Sequence, residues 1–177
     1  YLLSFGANYS HKLYLGASIG IRRVRYEENV IHTETDVDDN IEYFRAFDFY
    51  EDLFTRGTGY IFKIGAIARP IPFLRIGASY HLPTFYYLRD ERVTDFYGYI
   101  DSEHGADPEP QSSPFNEFRY RLTTPGKIVA SAALTAPRIG MISVDWEFID
   151  YTQSSLESNE YNFNNENIAI DELYRAT

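Results

Sequence analysis

The residues of this chain that could carry metal chemistry are its histidines and one acidic run. The four histidines lie far apart, with no spacing typical of a metal site; they are His11, His32, His81 and His104. The run from Asp36 to Asn40 offers clustered oxygen ligands, but it lacks the glycine and distal glutamate of an EF-hand calcium loop. We therefore expect polar histidines and a solvated acidic loop, and no metal or cofactor.

Composition narrows the function further. The sequence has no phosphate-binding loop, no His-Glu-x-x-His and no serine, histidine and aspartate arrangement that suggests a triad, so an enzyme is not predicted. The absence of cysteine excludes disulfides and thiolate metal sites. A net charge of −10 argues against a nucleic-acid partner, because binding phosphates requires clustered lysine and arginine.

Fully charged side chains occupy some of the alternate positions between apolar residues, in the middle of the predicted strands. Such residues could guide a carboxylate through a polar lumen, or they could simply neutralise one another in a wet interior, and both readings stay open. The candidate lumen charges are Arg22, Lys63, Arg75, Arg119, Arg121, Lys127, Asp145 and Glu147.

Aromatic residues are unusually frequent, with 16 Tyr and 13 Phe among 177 residues. Where they are dense in acidic segments they predict an apolar groove with a polar rim. Aromatic girdles at a membrane interface would explain them equally well. The candidate ligand-binding residues are Phe47, Phe49, Tyr50, Phe54, Phe85, Tyr86 and Tyr87.

Six runs of alternating apolar and polar or small residues must position these side chains. Alternation with a period of two is typical of β-strands with two different faces. The runs cover residues 3–9, 12–26, 57–70, 74–88, 118–137 and 141–151. The fourth run continues past Pro83. In the fifth run the apolar residues stay on the same alternate positions, or parity, on both sides of Pro125. We therefore expect bulges that bend the strands at these prolines.

The connections between the runs alternate between short and long. Three or four residues connect run one to run two, run three to run four, and run five to run six. Long segments follow runs two, four and six, and they are residues 27–54, 89–117 and 154–177. This is typical of a transmembrane β-barrel with short periplasmic turns and long extracellular loops. A soluble β-sheet also has one polar face, so the alternation alone does not distinguish a soluble sheet from a transmembrane barrel. The length of the second run favours the membrane barrel.

The stretches "FTRGTGYIFKIGAIARPIPFLRIGASYHLPTFYYL" and "RLTTPGKIVASAALTAPRIGMISVDWEFIDYTQSSL" resemble FadL-type outer-membrane transporters of hydrophobic compounds. The similarity is to the form found in Bacteroidetes, whose members are sometimes labelled haemin receptors. The similarity covers nearly the whole chain, and it lies in the pattern of strands and turns and not in catalytic motifs. It implies a fourteen-stranded barrel with an N-terminal plug, which takes up fatty acids or other lipophiles at the cell surface.

We therefore expect residues 1–177 to be a single-domain fragment of an all-β, antiparallel transmembrane barrel in the bacterial outer membrane. About six long strands are present, and the plug and the other strands are absent. Its expected partners are a lipophilic small molecule, outer-membrane lipid, and another chain or the rest of the barrel along its exposed edges. The expected function is passive uptake of hydrophobic molecules such as long-chain fatty acids. The alternative is an adhesin, structural barrel or haemin-binding receptor whose loops bind a partner.

Overall fold

The computed structural model describes residues 1–38, 40–100, 103, 105–136 and 138–175. Within them the chain forms ten β-strands and one α-helix. The strands are β1 (Leu2–Tyr9), β2 (Leu13–Thr35), β3 (Phe44–Ile71), β4 (Leu74–His81), β5 (Thr84–Ile100), β6 (Gln111–Ser112), β7 (Asn116–Thr124), β8 (Lys127–Ala136), β9 (Gly140–Ile149) and β10 (Ser155–Glu157), and the helix is α1 (Asn164–Arg175).

The strands pair in an antiparallel meander, which confirms the prediction of an all-β antiparallel fold. Strand β1 pairs with β2, β2 with β3, and β3 with both β4 and β5. Strands β4 and β5 are the two halves of one predicted run; β4 pairs with β8, and β5 pairs with β7. Strand β9 pairs with β8 and β10 with β7, so the six predicted runs appear in sequence order.

The short turns at one end of the meander are confirmed. Ser10 and His11 form the turn between β1 and β2, with φ values of 52° and 57°. Two successive residues in the left-handed region define the tight hairpin turn that matches strand twist. The side chain of Asn8 accepts a hydrogen bond from the His11 N–H at 3.0 Å, which supports this conformation.

The segments predicted as long loops are mostly strand. Strand β2 continues to Thr35 and β3 begins at Phe44, so residues 36–43 alone connect them. Strand β5 likewise continues to Ile100. Aromatic and charged side chains in these segments interact with side chains of neighbouring strands. The acidic composition therefore did not prevent the strands from pairing. The helix α1 was not predicted either. No helix among the described residues is long and apolar enough to cross a membrane.

The described residues group into two compact units. The first comprises Tyr1–Arg23, Thr58–Tyr87 and Tyr120–Thr177, and the second comprises Val24–Gly57 and Leu88–Arg119. Four strands, β2, β3, β5 and β7, contribute residues to both.

In the first unit, cross-strand register separates two faces. Residues that pair directly across an antiparallel ladder point to the same side of the sheet. One side, the apolar face, carries Ile64, Ala66, Ala68, Ile76, Ala78, Tyr80, Ile128, Ala130, Ala132, Leu134, Ile142, Val144, Trp146 and Phe148. The other side, the polar face, carries Lys63, Gly65, Ile67, Arg75, Gly77, Ser79, His81, Lys127, Val129, Ser131, Ala133, Thr135, Ser143, Asp145 and Glu147.

Along β8, exposure on the two faces is the reverse of that in a soluble sheet, whereas β9 is exposed on both faces over Gly140–Phe148. Along β8 the residues of the apolar face are exposed, while their neighbours on the polar face are half-buried. Ile128 is 45% exposed, Val144 67% and Trp146 58%. Soluble sheets instead bury the apolar face and solvate the polar one. The apolar face therefore requires apolar surroundings beyond those that the described residues provide.

Both proline interruptions shift the strand by one residue. Tyr80 lies on the apolar face, yet Tyr86 points to the polar one, where it stacks against Gly59, so the even-numbered positions change sides at Pro83. The same change occurs at Pro125, because Arg121 interacts with Tyr87, which is exposed beside Tyr60. The strands are interrupted at both prolines, and the parity that we predicted to continue through them does not.

The two interruptions lie side by side in neighbouring strands. A Cβ added at Gly126 would lie 3.3 Å from Cδ of Pro83 and 3.1 Å from the carbonyl oxygen of His81. The lack of a side chain at Gly126 lets the two irregular segments approach closely.

The helix α1 closes the edge of β10 through a single side chain. Oδ1 of Asn167 accepts a hydrogen bond from the Leu156 N–H at 2.8 Å, and its Nδ2 donates to the Leu156 carbonyl at 2.9 Å. Asn167 thereby occupies the two bonding positions that a neighbouring strand would take. The ring of Tyr174, near the end of α1, stacks on Tyr151 at 5.1 Å between centroids.

We predict that Asn167→Ala releases β10, while Asn167→Asp has a smaller effect. Alanine loses both bonds, each of which contributes about 1 kcal/mol, whereas aspartate keeps the acceptor for the Leu156 N–H. Amide hydrogen exchange at Leu156 measures the difference. The exchange rate should be highest in Asn167→Ala, intermediate in Asn167→Asp and lowest in the wild type. Equal exchange in all three proteins would show that Asn167 does not hold this edge.

Candidate functional site

A row of basic side chains crosses the polar face of the first unit on three neighbouring strands. Lys63 on β3 pairs directly with His81 on β4, and His81 pairs directly with Lys127 on β8. Directly paired residues have Cβ atoms about 5 Å apart, and like charges in such positions repel. The row Lys63–His81–Lys127, called the basic row below, places a lysine on each side of a histidine in a chain of net charge −10.

A single carboxylate partly neutralises the basic row. Nζ of Lys127 lies 2.8 Å from Oε2 of Glu147, and both side chains are half-buried or exposed. Among the described residues, Lys63 has no ion-pair partner. Arg22 and Arg75 lie on the same face, so four cationic side chains face two carboxylates, Asp145 and Glu147. The polar face of the first unit thus has an excess of positive charge.

A shallow groove of about 410 Å³ lies beside Lys63 and is lined by residues of both faces of the sheet. Glycines 16, 65 and 77 leave its floor open, and the hydroxyls of Ser18, Ser79 and Ser131 line it. Apolar surface comes from Ile67 and Val129 and also from Phe5, Leu15, Ala17, Ile64, Ala66 and Ala78. The groove is thus cationic at Lys63 and weakly polar or apolar over the rest of its floor, and its volume is within the range of small-molecule sites.

The polar face also carries the most buried aromatic ring of the first unit. Tyr86 is 9% exposed and lies flat over Gly59, where an added Cβ would come within 2.4 Å of its ring. Nη1 of Arg22 donates to Oη of Tyr86 at 3.1 Å. Only glycine fits beneath this ring, because any side chain at position 59 would overlap it.

The predicted lumen charges do not all share one face. Arg22, Lys63, Arg75, Lys127, Asp145 and Glu147 lie on the polar face. Arg121 instead pairs with Glu157 and interacts with Tyr87 on the opposite side. In the second unit, Arg119 pairs with Glu117. The shift at Pro125 explains why Arg121 and Lys127, which have the same parity in the sequence, point in opposite directions.

The predicted aromatic candidates are also divided. Phe85 and Tyr87 are exposed, and Tyr87 makes an edge-on contact with Tyr60, with centroids 6.3 Å apart. Tyr86, between them, points to the polar face. These three residues therefore do not form one ligand-binding surface, because consecutive residues of a strand alternate sides.

In the second unit, the remaining four aromatic candidates alternate along β3 in the same way. Phe47 stacks on Phe96 at 5.3 Å, whereas Tyr50 contacts Tyr97 edge-on at 5.4 Å. Phe54 has the parity of Tyr50, and Arg25 and Arg56 lie over its ring at 5.2 and 4.1 Å. Phe49, of the parity of Phe47, is half-buried. These contacts make the aromatic residues part of the cross-strand packing.

A carboxylate of the second unit accepts two short cross-strand bonds. Oγ1 of Thr33 donates to Oδ1 of Asp48 at 2.6 Å, and Oη of Tyr99 donates to Oδ2 at 3.0 Å. The bond to Asp48 raises the pKa of Tyr99 above its ordinary value of 10.0, and burial and the charge of Asp48 act in the same direction.

We predict that this bond stabilises the second unit below pH 10 and that its contribution disappears at higher pH. Because the pKa of Tyr99 is higher in the folded state, the contribution is complete below the unfolded value and is lost as pH rises through the folded one. Alkaline unfolding of Tyr99→Phe should lack this phase, while Tyr97→Phe should retain it. An identical alkaline profile for wild type and Tyr99→Phe would contradict the prediction.

The histidines take up separate positions, and the described residues contain no group of three potential metal ligands. His11 lies in the first turn, His81 belongs to the basic row, and His32 lies 3.0 Å from Glu34. His104 lies outside the described residues. Asp39, in the acidic run considered for calcium, also lies outside them.

One motif was missed in the sequence. Residues 16–20 read Gly-Ala-Ser-Ile-Gly, which matches the Gly-x-Ser-x-Gly pattern of hydrolase nucleophiles. That pattern has catalytic meaning on a sharp turn between a strand and a helix, whereas Ser18 lies within β2 and pairs with Ser4 across the ladder. The two hydroxyl oxygens are 2.9 Å apart. The structure therefore gives Ser18 a place in the sheet and not on a nucleophile turn.

The basic row was only partly visible in the sequence. Lys63 and Lys127 were identified by their parity, but the position of His81 between them depends on the register of β4 with β3 and β8.

The chain matches no protein-family model, and it has no significant match among curated proteins or solved structures.

Proposed function

We propose that this chain is part of a β-barrel of the bacterial outer membrane that lets hydrophobic small molecules, such as long-chain fatty acids, enter by diffusion. The observation that carries the proposal is the reversed exposure of the first unit. On β8 the apolar positions are exposed and the alternate positions are half-buried, and on β4 Ile76, Ala78 and Tyr80 are exposed while Gly77, Ser79 and His81 are buried or half-buried. On β9, at the edge, both faces are exposed. Acyl chains outside and water inside would satisfy both faces.

The extent of the apolar face suits a bilayer. On β3 it continues from Tyr60 through Phe62 and Ile64 to Ala68, which is nine residues. A tilted transmembrane strand uses about 9–11 residues. The exposed tyrosines Tyr60 and Tyr87 stand at one end of this stretch, where interface aromatics are enriched.

The free edges of the sheet also favour a larger barrel. Strand β1 pairs only with β2, and β9 only with β8, among the described residues. Unpaired backbone groups are costly in hydrocarbon, so both edges need further strands. The resemblance to FadL-type transporters, which implies more strands than these, agrees with this requirement.

Proteoliposomes containing the complete protein test the proposal. We expect influx of oleate, measured with an acceptor enclosed in the vesicles, to be several-fold faster than in vesicles with a heat-inactivated preparation. Unchanged influx of oleate and of a neutral lipophile would contradict uptake. If the protein instead bound a macromolecule at the cell surface without any influx, the adhesin or receptor alternative would be correct.

A further inference from the structure

We propose that four arginines of the second unit bind the phosphate headgroup of an anionic lipid in the surrounding membrane. They are called the arginine belt below, and they are Arg25 on β2, Arg56 on β3, Arg89 on β5 and Arg119 on β7. The inference rests on the proposed membrane barrel. It adds a partner, a phosphorylated lipid, that the uptake of hydrophobic molecules does not itself require.

The first reason is that the arginine belt is built from a series of contacts between neighbouring strands. The guanidinium groups of Arg25 and Arg56 lie over the ring of Phe54, with Cζ at 5.2 and 4.1 Å from the ring centroid. Arg56 and Arg89 share the carboxylate of Glu91, with N–O distances of 3.7 and 2.7 Å. These contacts place the side chains on one side of β2, β3 and β5.

The second reason is that the carboxylates of this series lie deeper than the guanidinium groups. Glu117 joins Arg89 to Arg119 as Glu91 joins Arg56 to Arg89, with N–O distances of 2.9 and 2.6 Å. The side chains of Glu91 and Glu117 are only 17% and 29% exposed, whereas those of Arg56 and Arg119 are 62% and 65% exposed. The surface that solvent or a ligand meets is therefore mainly positive.

The third reason is the hydrogen-bonding capacity of arginine. A guanidinium has five N–H donors, and its planar fork binds two phosphate oxygens at once. Arg56 reaches Glu91 only at 3.7 Å, which is longer than a hydrogen bond. Arg25 has its carboxylate, Glu27, on its own strand at 2.5 Å. The arginine belt can therefore bind a phosphate without first breaking all of its ion pairs.

The fourth reason is the position of the arginine belt along the strands. Arg89 comes two residues after Tyr87 on β5, and Arg56 comes four residues before Tyr60 on β3, so alternation gives both arginines the parity of the exposed tyrosines. Two to four residues of a strand tilted by about 45° rise about 5–9 Å along the membrane normal. That is about the depth of the headgroup layer on one side of a bilayer. In the proposed barrel, with tyrosines at the interface, the anion within reach of the arginine belt is a lipid phosphate.

Electron spin resonance of spin-labelled lipids tests the inference, because it separates lipids in contact with a protein from those in the bulk bilayer. The complete protein in phosphatidylcholine vesicles should select spin-labelled phosphatidic acid several-fold over spin-labelled phosphatidylcholine, as expected for basic residues at the membrane surface. The Arg56→Gln/Arg89→Gln variant should lose most of this selectivity. Glu91→Gln, which removes a carboxylate beneath the same arginines, should increase it.

Arg92→Gln is the matched control. Arg92 lies on β5 three residues from Arg89, so it points to the opposite side of the sheet, where it pairs with Glu51. Its replacement removes the same charge from the same strand and should leave the selectivity unchanged. An equal loss of selectivity in Arg92→Gln would show a diffuse field and not a site, and it would overturn the inference. A lower selectivity in Glu91→Gln would overturn it as well.

The remaining outcomes separate this inference from the proposed function. Equal association of both labelled lipids with the wild type would overturn the lipid site and leave the barrel and uptake in place. No motionally restricted lipid of either kind would show that the protein does not contact the bilayer, and both proposals would fail. Influx of oleate through Arg56→Gln/Arg89→Gln should equal that of the wild type. A loss of influx with unchanged lipid selectivity would instead place these arginines on the uptake route and overturn the lipid site.

Discussion

In the proposed membrane barrel, Ala130→Arg is expected to destabilise the protein by about 2–4 kcal/mol, the cost of an arginine that faces lipid near the bilayer centre. Ala130 lies in the middle of the apolar face, paired with Ala78 on one side and Trp146 on the other. A guanidinium there would have neither water nor a carboxylate partner. Urea unfolding of the complete protein folded into phospholipid vesicles measures the effect.

Two control variants isolate the cause. Ser131→Arg places the same side chain one residue further along β8, on the polar face, and should change stability by less than about 1 kcal/mol because the charge reaches water. Ala130→Leu keeps the apolar character and should be close to neutral. If Ser131→Arg proved the more damaging of the two arginine variants, the two faces of the sheet would be assigned the wrong way round.

Gly59→Leu is expected to produce the second large effect, a destabilisation of about 1–3 kcal/mol from overpacking, with the loss of the Arg22 bond in addition. A Cβ at position 59 would lie 2.4 Å from Cε1 of Tyr86, so the ring must leave its place on the polar face. Its hydroxyl would then lose the Nη1 donor of Arg22. Denaturant unfolding, together with the fluorescence of the complete protein, follows the change.

The tyrosine itself provides the control for this prediction. In a Tyr86→Ala background the space above Gly59 is empty, so Gly59→Leu should cost much less there, which a double-mutant cycle measures as a coupling energy. Gly6→Ala is a second control, since its nearest atom would be the Leu15 carbonyl oxygen at 3.9 Å. Additive effects of the changes at positions 59 and 86 would refute direct packing between them.

The near absence of buried side chains links these expectations to the energetics of the fold. Among the described residues, the buried residues other than glycine are Tyr86, Leu88 and Thr55. A sheet of this kind gains little from burying its own apolar surface, so in the proposed membrane barrel its stability depends on backbone pairing and on the lipid around the apolar face. That dependence is why a single charge on Ala130 is expected to matter more than most substitutions on the polar face.

Comparison of sequence with structure is most instructive at the two prolines. Alternation predicted the strands on either side of Pro83 and Pro125, but it did not predict that one extra residue at each would exchange the faces. Tyr86 consequently lies on the polar face, and Arg121 lies opposite to Lys127. Parity is a local property, whereas the geometry of an interruption depends on the neighbouring strand against which it packs, here through Gly126 and Pro83.

The extent of the strands shows a second limit of the sequence pattern. Residues 27–54 and 89–117 have too many charges to be read as strands by hydropathy. Cross-strand partners such as Thr33, Asp48 and Tyr99 make them strands nonetheless. The helix α1 lies in another segment predicted as a loop, and it docks through Asn167 on the edge of β10. Such pairings join residues distant in sequence, so no local window contains them.

The sequence by itself determined the antiparallel strands, their order, the tight turns and the separation of apolar from polar side chains, because all of these follow from alternation and turn chemistry within a few residues. Only the tertiary structure decided which side chains meet. The register of β4 against β3 and β8 placed His81 between two lysines, and the interruptions at Pro83 and Pro125 divided residues that the sequence had grouped. Register depends on contacts between strands, and a shift of one residue moves every side chain to the other face.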